Sequence, residues 1–176
     1  MTAHVFVDET KQRGLVVAAV TVRSEDLTAT RTLMRGLLLR GQERLHFTKE
    51  SDSRRRRIAT TLRDSDATAD IYDARQVTDA RAARRLVLDR LVDDLAAADA
   101  RRLVVERDDS LVVADRRVLE ARVRTAGVDG RLRYDHLPPR SEPLLWAADA
   151  VAWCWVHHGP WRSAVQPLVR RVITLG

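Results

Sequence analysis

Residues 4–10 read HVFVDET, an apolar run with strand character that stops abruptly at two acids, Asp8 and Glu9. Branched and aromatic residues suit a pleated, buried strand, but carboxylates at its tip, ahead of any turn glycine, serve no packing purpose. Residues 14–22, GLVVAAVTV, form a second apolar run beyond the tight connection KQRG (residues 11–14), which predicts an antiparallel hairpin.

Further along, the pattern alternates. Residues 24–42, SEDLTATRTLMRGLLLRGQ, predict a helix capped by Ser24 with Leu27, Leu33, Leu37 and Leu38 on its apolar side. The polar connection ERLHFTKESDS precedes a short basic helix across residues 54–65, RRRRIATTLRDS. ADIYDAR (69–75) predicts a third strand. TDARAARRLVLDRLVDDLAAAD (78–99) predicts a helix with Thr78 as cap and Leu88, Leu91, Val92 and Leu95 as its stripe. RRLVVERDDS (101–110) is another strand ending in acids, LVVADRRVLEARVRTAG (111–127) a helix, and RLRYDHLPPR (131–140) a short strand stopped by prolines. EPLLWAADAVAWCWVHHG (142–159) is a last apolar helix, and residues 160–176 carry no clear assignment. Strands alternating with helices imply parallel pairing by right-handed crossovers. The expected architecture is an α/β mixed sheet, opened by an antiparallel hairpin and flanked by helices, with a helical insertion at about residues 24–64.

Composition sets bounds on function. A length of 176 residues suits one domain over residues 1–176, with 45% apolar and 32% charged residues. No apolar stretch reaches the roughly 20 residues that span a bilayer, and no basic-then-apolar leader opens the chain. One cysteine, Cys154, rules out an internal disulfide and a multi-cysteine zinc site. A cytoplasmic location without membrane association is expected. Only Lys11 and Lys49 among the 31 basic residues are lysine, and the net charge is +6. That charge favours polyanions such as nucleic acid, although a coding bias toward arginine, with Arg–Asp pairs on helix faces, explains it equally well. Glycine-rich phosphate loops, nucleophile elbows and HExxH motifs are missing from the sequence.

The acids recur where a sheet of this kind builds sites, just beyond strand ends. Asp8 and Glu9 follow the first strand; Glu106, Asp108 and Asp109 end the fourth; Asp149 lies inside the final helix. On that helix Trp146, Ala150, Trp153 and His157 share the face of Asp149, while Leu145, Ala148, Ala152 and Trp155 make the other side apolar too. A carboxylate so placed costs several kcal/mol unless paired or metal-bound. A buried Asp–Arg pair is one solution. The other is convergence of Asp8, Glu106 or Asp109, and Asp149 around Mg2+ or Mn2+, which prefer oxygen ligands and cancel the repulsion of clustered acids. Two such ions about 4 Å apart activate water and stabilise a leaving oxygen in phosphodiester cleavage.

VDET (Asp8, Glu9), AADAVAW (Asp149) and VERDDS (Asp109, Ser110) together resemble the pieces of a widespread bacterial RNase H-like family of unknown function. Its members open with a strand running into Asp-Glu-Ser and close with a helix bearing Ala-Asp. The resemblance implies an RNase H-like fold and a metal-dependent nuclease. Two features depart from it. The helix after the third strand offers Asp89, Asp93 and Asp94, but Asp89 and Asp93 follow Arg85 and Arg90 at i+4 and i+3, a spacing that reads as surface pairs rather than a catalytic acid. The insertion is also unusual, and brings His46, Lys49 and Glu50 together in LHFTKES. His46 is a candidate proton shuttle or phosphate ligand, Lys49 a phosphate contact, and Glu50 a fourth acid or a helix N-terminal charge; an ordinary exposed loop is the plain alternative.

The expected activity is divalent-metal-dependent hydrolysis of nucleic-acid phosphodiesters, RNA or DNA undetermined. Asp8, Glu106, Asp109 and Asp149 are the candidate metal ligands, with Glu9, His46 and Lys49 assisting. The rival is a catalytically idle RNase H-like module that binds nucleic acid or a partner protein. Asp135 and His136 either orient a ligand or cap their turn, His157 and His158 cap a helix end, and Trp146, Trp153, Trp155 and Trp161 are candidates for base stacking, with core packing as the plainer reading for most of them. Oligomeric state is left open.

Overall fold

The structure is a computed structural model that describes residues 2–176. Strands β1 (Ala3–Thr10) and β2 (Val16–Arg23) form the expected hairpin, with Ala3 opposite Arg23 and Thr10 opposite Val16. The turn requires Gly14: its φ is +101°, and a Cβ there would lie 2.9 Å from the Arg75 Cα. The insertion follows as helices α1 (Leu27–Arg35) and α2 (Asp52–Arg63), joined by an irregular loop. Helix α1 begins later than expected. Ser24 lies in a short 3-10 turn instead, its hydroxyl hydrogen-bonded to Thr2.

Strand β3 (Thr68–Asp73), helix α3 (Ala80–Ala97), strand β4 (Arg102–Glu106), helix α4 (Val112–Thr125) and strand β5 (Arg133–Leu137) then alternate as the sequence predicts. Asp79, not Thr78, caps α3, accepting a hydrogen bond from the Ala82 N–H at 2.7 Å. Helix α5 (Pro143–Val156) buries 12 of its 14 residues, which is why its sequence is apolar on every side. It ends at Val156, two residues before a second helix, α6 (Gly159–Val165), and a last strand, β6 (Val169–Thr174), which occupy the region left unassigned.

The six strands lie in the order β5-β4-β1-β2-β3-β6. β1 pairs antiparallel with β2 and parallel with β4, β4 parallel with β5, β2 antiparallel with β3, and β3 parallel with β6. This is the expected mixed sheet with one strand more. Side-chain alternation divides the core in two. Phe6, Val16, Ala18, Val20 and Val104 pack with α1, α2 and α5 on one face, and Val5, Val7, Val17, Leu103 and Val105 pack with α3 and α4 on the other. Among the described residues no helix is long and apolar enough to cross a membrane.

Candidate active site

β1 and β4 run parallel, so their C-terminal tips lie side by side, and α5 crosses the same sheet face. Alternation puts Asp8 on the face of Phe6, toward α5. The result is a cavity of about 210 Å³ whose lining includes Asp8, Glu106, Asp149, Arg44, His46 and Trp153. Three of its residues, Arg44, His46 and Thr48, come from the insertion loop. That loop is held from two sides. The Phe47 N–H donates to Asp149 Oδ2 at 2.9 Å, while Arg55 donates to the Phe47 and Thr48 carbonyls at 2.9 and 2.6 Å. Arg55 also stacks its guanidinium 4.5 Å from the Trp153 ring centroid.

The electrostatics of the cavity are unfavourable to its own charges. Asp8, Glu106 and Asp149 line the same cavity, and the charges of Glu106 and Asp149 work against ionisation of Asp8, a repulsion that a shared proton or a cation relieves. Burial, and then the charges of Glu106 and Asp149, push Asp8 well above the ordinary carboxylate range. Burial raises Glu106 as well, with Arg44 opposing it from 3.9 Å. Burial also raises Asp149, against the Phe47 N–H, His46 and Arg44. Among the described residues neither Asp8 nor Asp149 forms an ion pair, so the buried Asp–Arg solution is not the one adopted here. His46 contributes a buried Nδ1 without a hydrogen-bond partner.

The donor chemistry of Asp8 and Glu106 fits a hard divalent ion, because such an ion removes the repulsion between two carboxylates that line one cavity. The fit stops there, since among the described residues no group of three or more His, Cys, Asp or Glu is gathered tightly enough to hold a metal. Asp149 borders the cavity with one oxygen engaged by the insertion loop.

The remaining sequence candidates are placed as follows. Of the alternatives at the end of β4, Glu106 is in the cavity, whereas Asp109 is 83% exposed and bonded to Arg107. Glu9 borders the cavity, but its carboxylate belongs to the opposite sheet face, where Lys11 (2.9 Å) and Arg84 engage it. Lys49 is exposed and outside the cavity lining. Glu50 is buried and bonded to Arg54 and Gln42, a structural role rather than that of a fourth acid. Asp89 and Asp93 pair with Arg85 and Arg122, and Asp94 accepts from Tyr72 and Arg90. Asp135 pairs with Arg102. His157 ends α5 as expected, its ring stacked on Trp153 at 3.5 Å.

Sequence reasoning missed three polar residues. Arg44 enters the cavity from a loop without periodicity, and its sequence neighbours give no signal. Arg84 and Asp115 form a buried ion pair at 2.6 Å that also takes in Glu9 and His136, the latter at 3.2 Å. Asp115 had a legible signal, since LVVAD embeds an acid in apolar residues as WAAD does at Asp149.

The strand order and mixed pairing define an α/β protein of RNase H-like fold. Among solved structures, the chain is similar to RNase HII of Archaeoglobus fulgidus, determined in complex with PCNA, with a TM-score of 0.54 over 87% of this chain and 70% of that one. Identity between the two is 18%. No family model matches the chain, and no curated protein matches it in sequence.

Proposed function

We propose that the protein is a divalent-metal-dependent nuclease that hydrolyses nucleic-acid phosphodiesters at the cavity between β1, β4 and α5. One observation carries the reading: the half-buried acids Asp8 and Glu106 line one cavity that Asp149 also borders, with Asp8 in no ion pair among the described residues and Arg44 reaching Glu106 only at 3.9 Å. A protein gains no stability from such a pair, and a cation site is the economical reason to keep it. The RNase H-like fold is compatible with this activity but does not establish it.

Asp8 and Glu106 would hold Mg2+ or Mn2+, with Asp149 contributing the oxygen that Phe47 does not engage. When bound, the ion supplies charge neutralisation and Lewis acidity toward a water and a phosphoryl oxygen. Arg44 is placed to take a non-bridging phosphate oxygen, and its guanidinium offsets the acids as negative charge gathers. His46 is placed to move a proton at the cavity wall. The arginine-rich surface would attract the polyanionic substrate.

A second reading, the catalytically idle module that binds nucleic acid or a partner protein, is favoured by two observations: Asp149 is tied to the insertion loop, and among the described residues no group of three or more His, Cys, Asp or Glu is gathered to hold a metal. Manganese titration separates the two. In the nuclease, added ion raises the melting temperature of the wild type and hardly that of Asp8→Asn or Asp149→Asn; equal shifts in all three favour the binding module. Cleavage assays on RNA, single- and double-stranded DNA and hybrids then assign the substrate, and cleavage that survives Asp149→Asn removes the nuclease assignment at this cavity.

A further inference from the structure

On the sheet face opposite the acid cavity, helix α3 leaves part of β1, β2, β3 and β6 uncovered. Small side chains keep the space open: Ala3 and Ala19 on the sheet, Ala98 at the end of α3, with Val5, Leu91 and Leu95 completing the apolar wall of a cavity of about 650 Å³. The opposite wall is polar and tightly organised. Asp70, 5% exposed, accepts hydrogen bonds from Arg170 (3.0 Å) and Arg171 (2.7 Å), both on its Oδ2. Arg171 also lies 3.6 Å from Asp94, which accepts the Tyr72 hydroxyl at 2.8 Å.

Asp70 is the informative residue. Both guanidinium contacts use the same oxygen, and Oδ1 is buried with no hydrogen-bond partner. Buried polar atoms in folded proteins are almost always satisfied. The strand is also irregular at this point, because the β3–β6 register shifts between Ala69 and Asp70. A carboxylate already held by two arginines needs no further cation; it needs a neutral donor. The cavity is balanced in charge, with Asp66, Asp70 and Asp94 set against Arg23, Arg170 and Arg171. An apolar wall facing convergent polar groups, in a volume within about 300–1,000 Å³, is what a small-molecule site offers.

We infer that this cavity binds an uncharged, N–H-bearing heterocycle of nucleoside size, its donor edge on Asp70 and its body against the alanine and leucine wall. The site is independent of the acid cavity, from which the sheet separates it, and it does not depend on the nuclease reading.

The test uses adenosine, guanosine, cytidine and thymidine, titrated calorimetrically into the metal-free full chain. At least one is expected to bind at one site per chain with a submillimolar dissociation constant. Ala98→Trp fills the mouth from an exposed position and leaves Asp70 and its arginines untouched, so it should weaken that binding at least tenfold. Asp70→Asn, in which an N–H donor replaces an oxygen, should weaken it as well, provided circular dichroism shows each variant folded. The inference is overturned if none of the four nucleosides binds at millimolar concentration, or if a bound one is indifferent to Ala98→Trp. The manganese-induced melting shift serves as an independent control, because Ala98→Trp should leave it unchanged.

Discussion

In the proposed metal site, Asp8 would set function against stability. Its carboxyl group is pushed up by burial and by the neighbouring acids, so the folded state favours the protonated form. For a group raised in this way the stabilisation is complete below the unfolded-state value, near 4, and is lost as pH rises through the folded-state value. At neutral pH without divalent ions an ionised Asp8 therefore works against folding. Asp8→Asn is expected to raise the melting temperature at pH 7, corresponding to about 1–3 kcal/mol, with the advantage disappearing on acidification. Manganese should close the gap from the other side by stabilising the wild type alone. A variant less stable than the wild type at pH 7 would contradict the repulsion. Arg44 is the complementary case, a lone guanidinium beside acids. If the proposed nuclease activity holds, Arg44→Met should lower cleavage about 10–100-fold while changing stability by less than about 0.5 kcal/mol, measured by single-turnover kinetics and denaturant melts.

Helices and loops acquire their roles through clamps that no single element shows. Arg84 on α3 links Glu9 at the end of β1 to Asp115 on α4, and His136 on β5 completes the cluster. Burial opposes the Arg84 charge, but Asp115 and Glu9 hold the guanidinium protonated well above its ordinary range. Removing that partner leaves the buried Asp115 carboxylate with His136 as its remaining partner in the cluster, so Arg84→Met should cost about 3–5 kcal/mol in urea unfolding. Arg84→Lys should recover only part of this, because a lysine cannot reproduce the two-pronged contact. In the insertion, Arg55 restrains the carbonyl side of Phe47 while Asp149 takes its N–H. Arg55→Ala should raise amide hydrogen exchange at Phe47 about tenfold or more relative to the amides of β1. Unchanged protection there would show that Asp149 holds the loop without help.

The whole molecule depends on its last strand. β6 pairs along β3, Ile173 is buried on the α3 side, and Val165 and Leu168 are buried on the α5 side. Deleting residues 169–176 removes the pairing partner of β3 and leaves a hydrogen-bonding edge on an apolar strand. The truncated chain should melt lower and associate in a concentration-dependent way, as light scattering would read; a monomeric chain of unchanged stability would refute this. The net charge of +6 acts on the same scale. Binding to a nucleic-acid duplex in EDTA should weaken linearly with the logarithm of salt concentration, with a slope that counts the phosphates contacted. A salt-independent affinity would assign the arginines to structural pairs alone.

The opening hairpin, the alternation of strands and helices, and the half-buried acid on α5 were legible because they are written in local patterns. Period-two apolar runs, turn glycines and a carboxylate among tryptophans report on burial whatever the rest of the chain does. β6 was not legible: VRRVIT exposes both arginines and draws its definition from β3, not from its own periodicity. The pairs that neutralise Glu9 and Asp115, and the separation of Glu106 from Asp109, were equally hidden. These depend on which residues a parallel register and two crossing helices bring within a few ångströms. The sequence by itself determined that acids stand at strand tips and inside an apolar helix. Only the tertiary structure decided that Asp8, Glu106 and Asp149 share a cavity while Glu9 is tied to an arginine behind the sheet, because strand alternation sends neighbouring side chains to opposite faces.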